Sequence, residues 1–206
     1  DNSYLTAYHS LALDSRDFPV ISYVDALNRH LKLAHCGNAT CSSDNTIVTV
    51  DSIGSFGFDV SLTLDSNGYP VISYFSNGNL KLAHCGDATC SSGNTIQTVD
   101  SADDVGYYSS LALDNSSRPV ISYFDRTNGD LKLARCGDAT CSSGNTLQTM
   151  DSAGIVGTFT SLRLDSHNKP IVSYHDFTNG NLKVVVCGDL ICSSGNTLQT
   201  VDNTEN

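Results

Sequence analysis

The chain has 206 residues, a formal net charge of −11 and a single Glu, Glu205. That balance repels phosphate backbones and anionic membranes, which argues against nucleic acid as a partner, and no apolar run approaches the ~20 residues that span a bilayer. With almost no Glu and few Lys, the usual helix-surface residues are missing, so the chain is expected to be all-β.

One text returns four times along the chain. The motif S-L-x-L-D begins at Ser10, Ser61, Ser110 and Ser161, at spacings of 51, 49 and 51 residues. The chain is thus one repeat domain, 1–206, with units of approximately 1–51, 52–100, 101–151 and 152–206. Each unit parses into four strands. The first (10–14, 61–65, 110–114, 161–165) alternates Leu with small or polar residues, the period of two that marks a strand. A turn such as "DSNGYP" (65–70) follows, and Pro19, Pro70, Pro119 and Pro170 suit the start of the next strand, where no ladder bond is lost. That second strand, "VISYF" at 71–75, is rich in β-branched and aromatic residues. A hairpin turn, "RTNGD" at 126–130, relies on Asn-Gly for positive φ angles, and the second unit is two residues shorter there. The third strand, "LKLAHC" at 80–85, runs into a cysteine loop, and the fourth, "TIQTVD" at 95–100, ends the unit.

Eight cysteines form four C-x4-C pairs: Cys36 with Cys41, Cys85 with Cys90, Cys136 with Cys141, and Cys187 with Cys192. One pair per unit points to four local disulfides and to an oxidising, secreted or cell-surface setting. The spacing is loose for zinc. His35 and His84 precede their cysteines, but Arg135 and Val186 hold that place in the other units, so a four-fold metal site is excluded. No cofactor is expected. The bridges are expected to staple the outer hairpin of each unit, in a loop that adds nothing to the core. The chain opens at Asp1 without a signal peptide and reads as a processed product.

Four-stranded units of about 50 residues are the signature of a β-propeller, here four-bladed. No strand is left at the C-terminus to complete the first blade, so an open stack of the same β units is the alternative. The repeat text "LALDSSxxPVISYxDxxNGDLKLAxC" resembles the repeats of secreted bacterial β-propeller-like proteins, and the resemblance implies fold and secretion rather than an activity. "LDSNGYPVISY" also resembles the Asp-box of sialidase-type propellers, without its aromatic end, since the chain has no Trp. In that family the box is structural, so this likeness supports the fold and gives no support to glycosidase activity.

The repeated Asp14, Asp65, Asp114 and Asp165 are expected to cap their own turns, and Asp25, Asp125 and Asp176, replaced by Ser76 in the short unit, to begin the hairpin turns. Tyr23, Tyr74, Tyr123 and Tyr174 suit packing between units. Lys32, Lys81, Lys132 and Lys183 mark a polar face, solvated or paired across strands. There is no G-x-S-x-G elbow and no calcium loop, and the arginines are scattered, so no enzyme activity is expected.

Function is expected where the units differ, in the connectors at 2–9, 52–60, 101–109 and 152–160. These carry Tyr4, Tyr8, Phe56, Phe58, Tyr107, Tyr108 and Phe159 as candidate interaction residues. Asn38 and Asn115 stand in glycosylation acceptor patterns. Two classes fit: a secreted non-enzymatic structural or interaction protein (a self-associating subunit of a filament, surface layer or adhesin), or a multivalent carbohydrate-binding lectin. An ancillary propeller domain of a secreted hydrolase is the third reading. The expected partners are accordingly a further copy, an extracellular protein or a glycan.

Overall fold

A computed structural model describes residues 5–54 and 57–203, the side chains of 5–7 and 57–58 excepted. The first sheet contains β1 (Leu5–Leu13), β2 (Pro19–Asp25), β3 (His30–His35) and β4 (Thr46–Ser52). The second contains β5 (Gly57–Leu64), β6 (Pro70–Ser76), β7 (Asn79–His84) and β8 (Thr95–Asp100). The third contains β9 (Val105–Leu113), β10 (Pro119–Asp125), β11 (Asp130–Arg135) and β12 (Thr146–Asp151). The fourth contains β13 (Val156–Leu164), β14 (Pro170–Asp176), β15 (Asn181–Val186) and β16 (Thr197–Asp202). Every sheet takes its strands antiparallel in chain order, the meander of a propeller blade.

The local chemistry explains these boundaries. Asp14, Asp65, Asp114 and Asp165 each accept two backbone N–H bonds from the turn that follows, as in Asn67 and Tyr69 onto Asp65 at 2.8 and 2.9 Å. Asp25, Asp125 and Asp176 hold the hairpin turns through Asn28, Asn128 and Asn179. The hairpin turn differs from expectation. In "RTNGD" only Gly129 has positive φ, at 79°, and its N–H bonds to Asp125 O. The two-residue Asn-Gly turn occurs in the short unit instead, with Asn77 at 51° and Gly78 at 81°.

Four disulfides join the expected pairs, each with Cα atoms 4.8 Å apart. One expectation about them is overturned. Both cysteines of the second, third and fourth pairs are buried in the cores between sheets, so these three bridges do belong to the core. Each loop folds inward around an Asp (Asp87, Asp138, Asp189) whose carboxylate takes the amides of its own serines.

The hydrophobic core lies between blades. Val20, Leu31, Leu33 and Val50 of the first sheet meet Leu62, Ile72, Tyr74 and Ala83 of the second, and the same positions meet across the next two joints. Two polar devices recur at every joint. Tyr74 Oη and Lys81 Nζ donate to Asp51 Oδ2 at 2.7 and 3.0 Å. Tyr123 and Lys132 do the same to Asp100, and Tyr174 and Lys183 to Asp151. Ser10, Ser61 and Ser110 each accept the N–H of the next unit's leading leucine (Leu62, Leu111, Leu162) at 3.0 Å. Close approach also matters: a Cβ on Gly157, whose φ is +98°, would lie 2.6 Å from Leu131 Cα.

The arrangement is the open alternative. β1 packs on β5, β5 on β9 and β9 on β13, and among the described residues no contact of like extent joins the fourth sheet to the first.

Burial raises the Asp100 and Asp151 carboxyls, but the hydrogen bonds from Lys132 with Tyr123, and from Lys183 with Tyr174, outweigh it and hold both pKa values below the ordinary range. A carboxyl depressed in the folded state contributes stability above its unfolded pKa and loses it as the pH falls. Stability is therefore expected to fall as the pH drops below about 4, which urea titration at a series of pH values measures. Asp100→Ala leaves Lys132 and Tyr123 Oη buried without their acceptor. It is expected to cost about 3 kcal/mol in urea unfolding, against about 1 kcal/mol for Tyr123→Phe.

The hydroxyl of Ser22 is buried without a partner among the described residues. Its counterparts Ser73 and Ser122 meet Ser109 and Thr160 of the next blade at 3.0 and 2.8 Å. Val60 stands at that place in the second unit. Val60→Thr keeps the shape and supplies the missing hydroxyl. A gain of about 1 kcal/mol is expected, read in the same unfolding assay.

Candidate functional site

The first strand of each blade is longer than its sequence period suggests. It runs back into the connectors at 57–60, 105–109 and 156–160, which are therefore strand rather than loop. An extra residue enters each of these strands, between Phe58 and Val60, Tyr107 and Ser110, and Thr158 and Ser161. The inserted Asp59, Tyr108 and Phe159 have φ values of 53, 52 and 53°. A bulge of this kind bends the strand and re-aims a side chain. Left-handed φ at a non-Gly residue costs on the order of 1 kcal/mol and concentrates at functional positions.

The bulges gather aromatic rings between the third and fourth blades. A cleft of about 550 Å³ is bounded by Tyr107, Tyr108 and Phe124 on one side and by Ile155, Phe159 and Phe177 on the other. Ring centroids follow one another across three blades: Phe75 to Tyr107 at 4.1 Å, Tyr107 to Tyr108 at 6.5 Å, and Tyr108 to Phe159 at 4.4 Å. The row continues through His175 to Phe177 at 6.4 and 6.1 Å. Phe159 and Phe177 remain 67% and 63% exposed, a large apolar surface left open in the interior of the array.

Arg126 supplies the cleft's cation. Its Nη1 donates to Asp104 Oδ2 at 3.2 Å and to Tyr107 Oη at 3.3 Å, and its guanidinium lies 5.6 Å from the Tyr107 ring centre. Tyr107, Tyr108 and Asp59 are all shifted upward by burial. Asp59 accepts the Tyr108 N–H at 3.0 Å, which holds the bulge of the third blade against that of the second.

Of the candidate interaction residues, Tyr107, Tyr108 and Phe159 come together here. Tyr8 lies in β1, half-buried against the core of the first joint. Phe58 lies in β5, and its side chain, with Tyr4 and Phe56, falls outside the described residues. Asn38 holds its own cysteine loop, accepting from Thr40 and Ser42 and donating to Ser43. Asn115 is exposed, and its N–H bonds to Asn168. Arg126 and Phe177 were not singled out from the sequence. They share one repeat position, just after the second strand, where the first unit has Ala26. That variation was the available signal. Among the described residues no cluster of three His, Cys, Asp or Glu side chains is arranged to hold a metal.

No family model matches the chain, and no curated protein matches it. Solved structures do. An exo-β-1,3-galactanase from Phanerochaete chrysosporium, crystallised with β-1,3-galactotriose, superposes with a TM-score of 0.62 at 11% identity, over 94% of this chain and 49% of that one. An α-L-arabinofuranosidase from Lactobacillus brevis gives 0.61 at 8% identity, covering 93% and 71%. The SapL1 lectin in complex with α-methyl fucoside gives 0.57 at 13% identity, covering 95% and 63%. The chain thus spans about half the length of the galactanase. At 8–13% identity these likenesses show a shared fold and nothing finer.

Proposed function

We propose that this is a secreted, non-enzymatic carbohydrate-binding protein whose sugar site is the aromatic cleft between the third and fourth blades. The observation that carries the reading is the pair of strained bulges that turn Tyr108 and Phe159 into the cleft, with their rings 4.4 Å apart. Sugar rings present apolar C–H faces to aromatic planes, and Arg126 at the rim offers N–H donors to hydroxyls. The lining includes no carboxylate, and Asp104 beside it is tied to Arg126. Glycoside hydrolysis by the usual route needs two carboxylates flanking one bond. Recognition rather than cleavage is the better fit, and the four disulfides suit an extracellular setting. Of the two classes weighed from the sequence, the carbohydrate-binding one moves ahead of a filament or adhesin, for which the fold likenesses offer no support.

A glycan array followed by titration calorimetry tests this. The protein is expected to bind a neutral oligosaccharide, and Phe159→Ala is expected to weaken that binding by at least about tenfold with an unchanged unfolding temperature. An empty array, or equal affinity after Phe159→Ala, overturns the assignment. Turnover of chromogenic glycosides would instead select the hydrolase reading.

A further inference from the structure

Each unit carries the two halves of one joint on opposite faces, and the structure uses three such joints. The two outermost faces carry the same residues without a neighbour. On the first sheet, Leu11 is 56% exposed, whereas its counterparts Leu62, Leu111 and Leu162 are 7%, 6% and 0% exposed. On the fourth sheet, Val201 is 60% exposed, against 8%, 7% and 6% for Val50, Val99 and Met150. Leu182 is 46% exposed, where Leu31, Leu80 and Leu131 are at 0%.

The polar devices are split between these faces in the same way. Tyr23 Oη has no hydrogen-bond partner among the described residues, whereas Tyr74, Tyr123 and Tyr174 each reach an aspartate. Lys32 turns to Asp25 of its own blade at 2.9 Å, while Lys132 and Lys183 keep that distance at 3.7 and 4.0 Å and reach the preceding blade. At the other end Asp202, the counterpart of Asp51, Asp100 and Asp151, is exposed and unpaired among the described residues. Ser161, the counterpart of Ser10, Ser61 and Ser110, likewise has no leucine amide to bind. Here Leu11, Ile21 and Tyr23 at one end, and Ile171, Leu182, Val184 and Val201 at the other, keep the residue types of the inner joints.

We propose that the two end faces bind each other between copies of this chain, head to tail. The fourth blade's Asp202, Ser161, Leu182 and Val201 dock on Tyr23, Lys32 and Leu11 of a second copy's first blade. The occupant is named by complementarity: each group on one face has its internal partner type on the other, in the pattern repeated at three joints. The contact is heterologous, so it closes into a ring or continues as a chain according to its rotation.

The experiment is light scattering after size exclusion over about 1 to 200 µM, a range that captures micromolar association, without reductant. The chain's mass is 21.9 kDa, and whole multiples of it are expected to appear as concentration rises. Leu11→Arg blocks the head, and Val201→Arg blocks the tail. Both sites are exposed, so an unchanged unfolding temperature will confirm folding, and Asp202→Lys serves as a second tail variant. Each variant alone is expected to be monomeric. An equimolar mixture of head- and tail-blocked chains should give a 1:1 dimer and nothing larger, because one live head and one live tail remain. Arg126→Ala, a cleft substitution on the third blade and on neither end face, should assemble as the parent does, which separates this proposal from the sugar site. A parent monomeric at every concentration overturns the proposal and leaves the faces to an occupant of another kind. A mixture that stays monomeric, or blocked variants that assemble unchanged, overturns it equally.

Discussion

A carboxylate held between two blades is the constraint on which the rest depends. Asp51, Asp100 and Asp151 stand at or next to the end of the last strand of their sheets, and each receives a tyrosine hydroxyl and a lysine ammonium from the sheet that follows. Taking such charges out of water is costly, and their attraction offsets that cost only when the geometry and the remaining hydrogen bonds are complete. Two donors on one carboxylate meet that condition. The leucine and valine clusters around them bury area without direction, whereas the clamp accepts only one offset between neighbouring sheets. It fixes how one blade sits on the next, and with that the spacing of the strand ends that form the cleft.

Local chemistry was legible in the sequence. Period-two strands, turn aspartates and C-x4-C bridges each act within a few residues, so "LTLDSNGYP" at 62–70 reports its own structure. The clamp was not legible, because Asp51 meets Tyr74 and Lys81 only once two units are stacked. The lysines were read as a solvated or cross-strand face for that reason. The extension of each first strand was hidden by a different cause. Tyr108 and Phe159 sit at φ values that disfavour bulky residues, so the text there reads as a break. The cysteine loops looked peripheral along the chain, yet the loops around Asp87, Asp138 and Asp189 carry both of their cysteines into a joint.

Repetition and its failures separate structure from function. Positions that agree in all four units turn out to cap turns or hold joints. The bulge position varies instead: Tyr8, Asp59, Tyr108 and Phe159. So does the position after the second strand, with Ala26, Asn77, Arg126 and Phe177. Both varying positions border the same cleft, and only between the third and fourth blades do they bring aromatic rings from both sides. One scaffold thus repeats the same place at each joint, and one of these places carries rings from both blades.

The end faces and the cleft are connected through this same numbering. Tyr8 holds in the first blade the place that Tyr108 and Phe159 hold in the third and fourth. The proposed head-to-tail joint would set the Tyr8 of one copy beside the Phe159, His175 and Phe177 of another, as Phe159 now stands beside Tyr108. The aromatic row then runs on across the joint. Each added copy contributes a further place where rings from two blades face one another. Weak sites linked at fixed spacing bind a polymer with far greater avidity than any one of them, so the proposed assembly would multiply the proposed recognition without a new residue in the cleft.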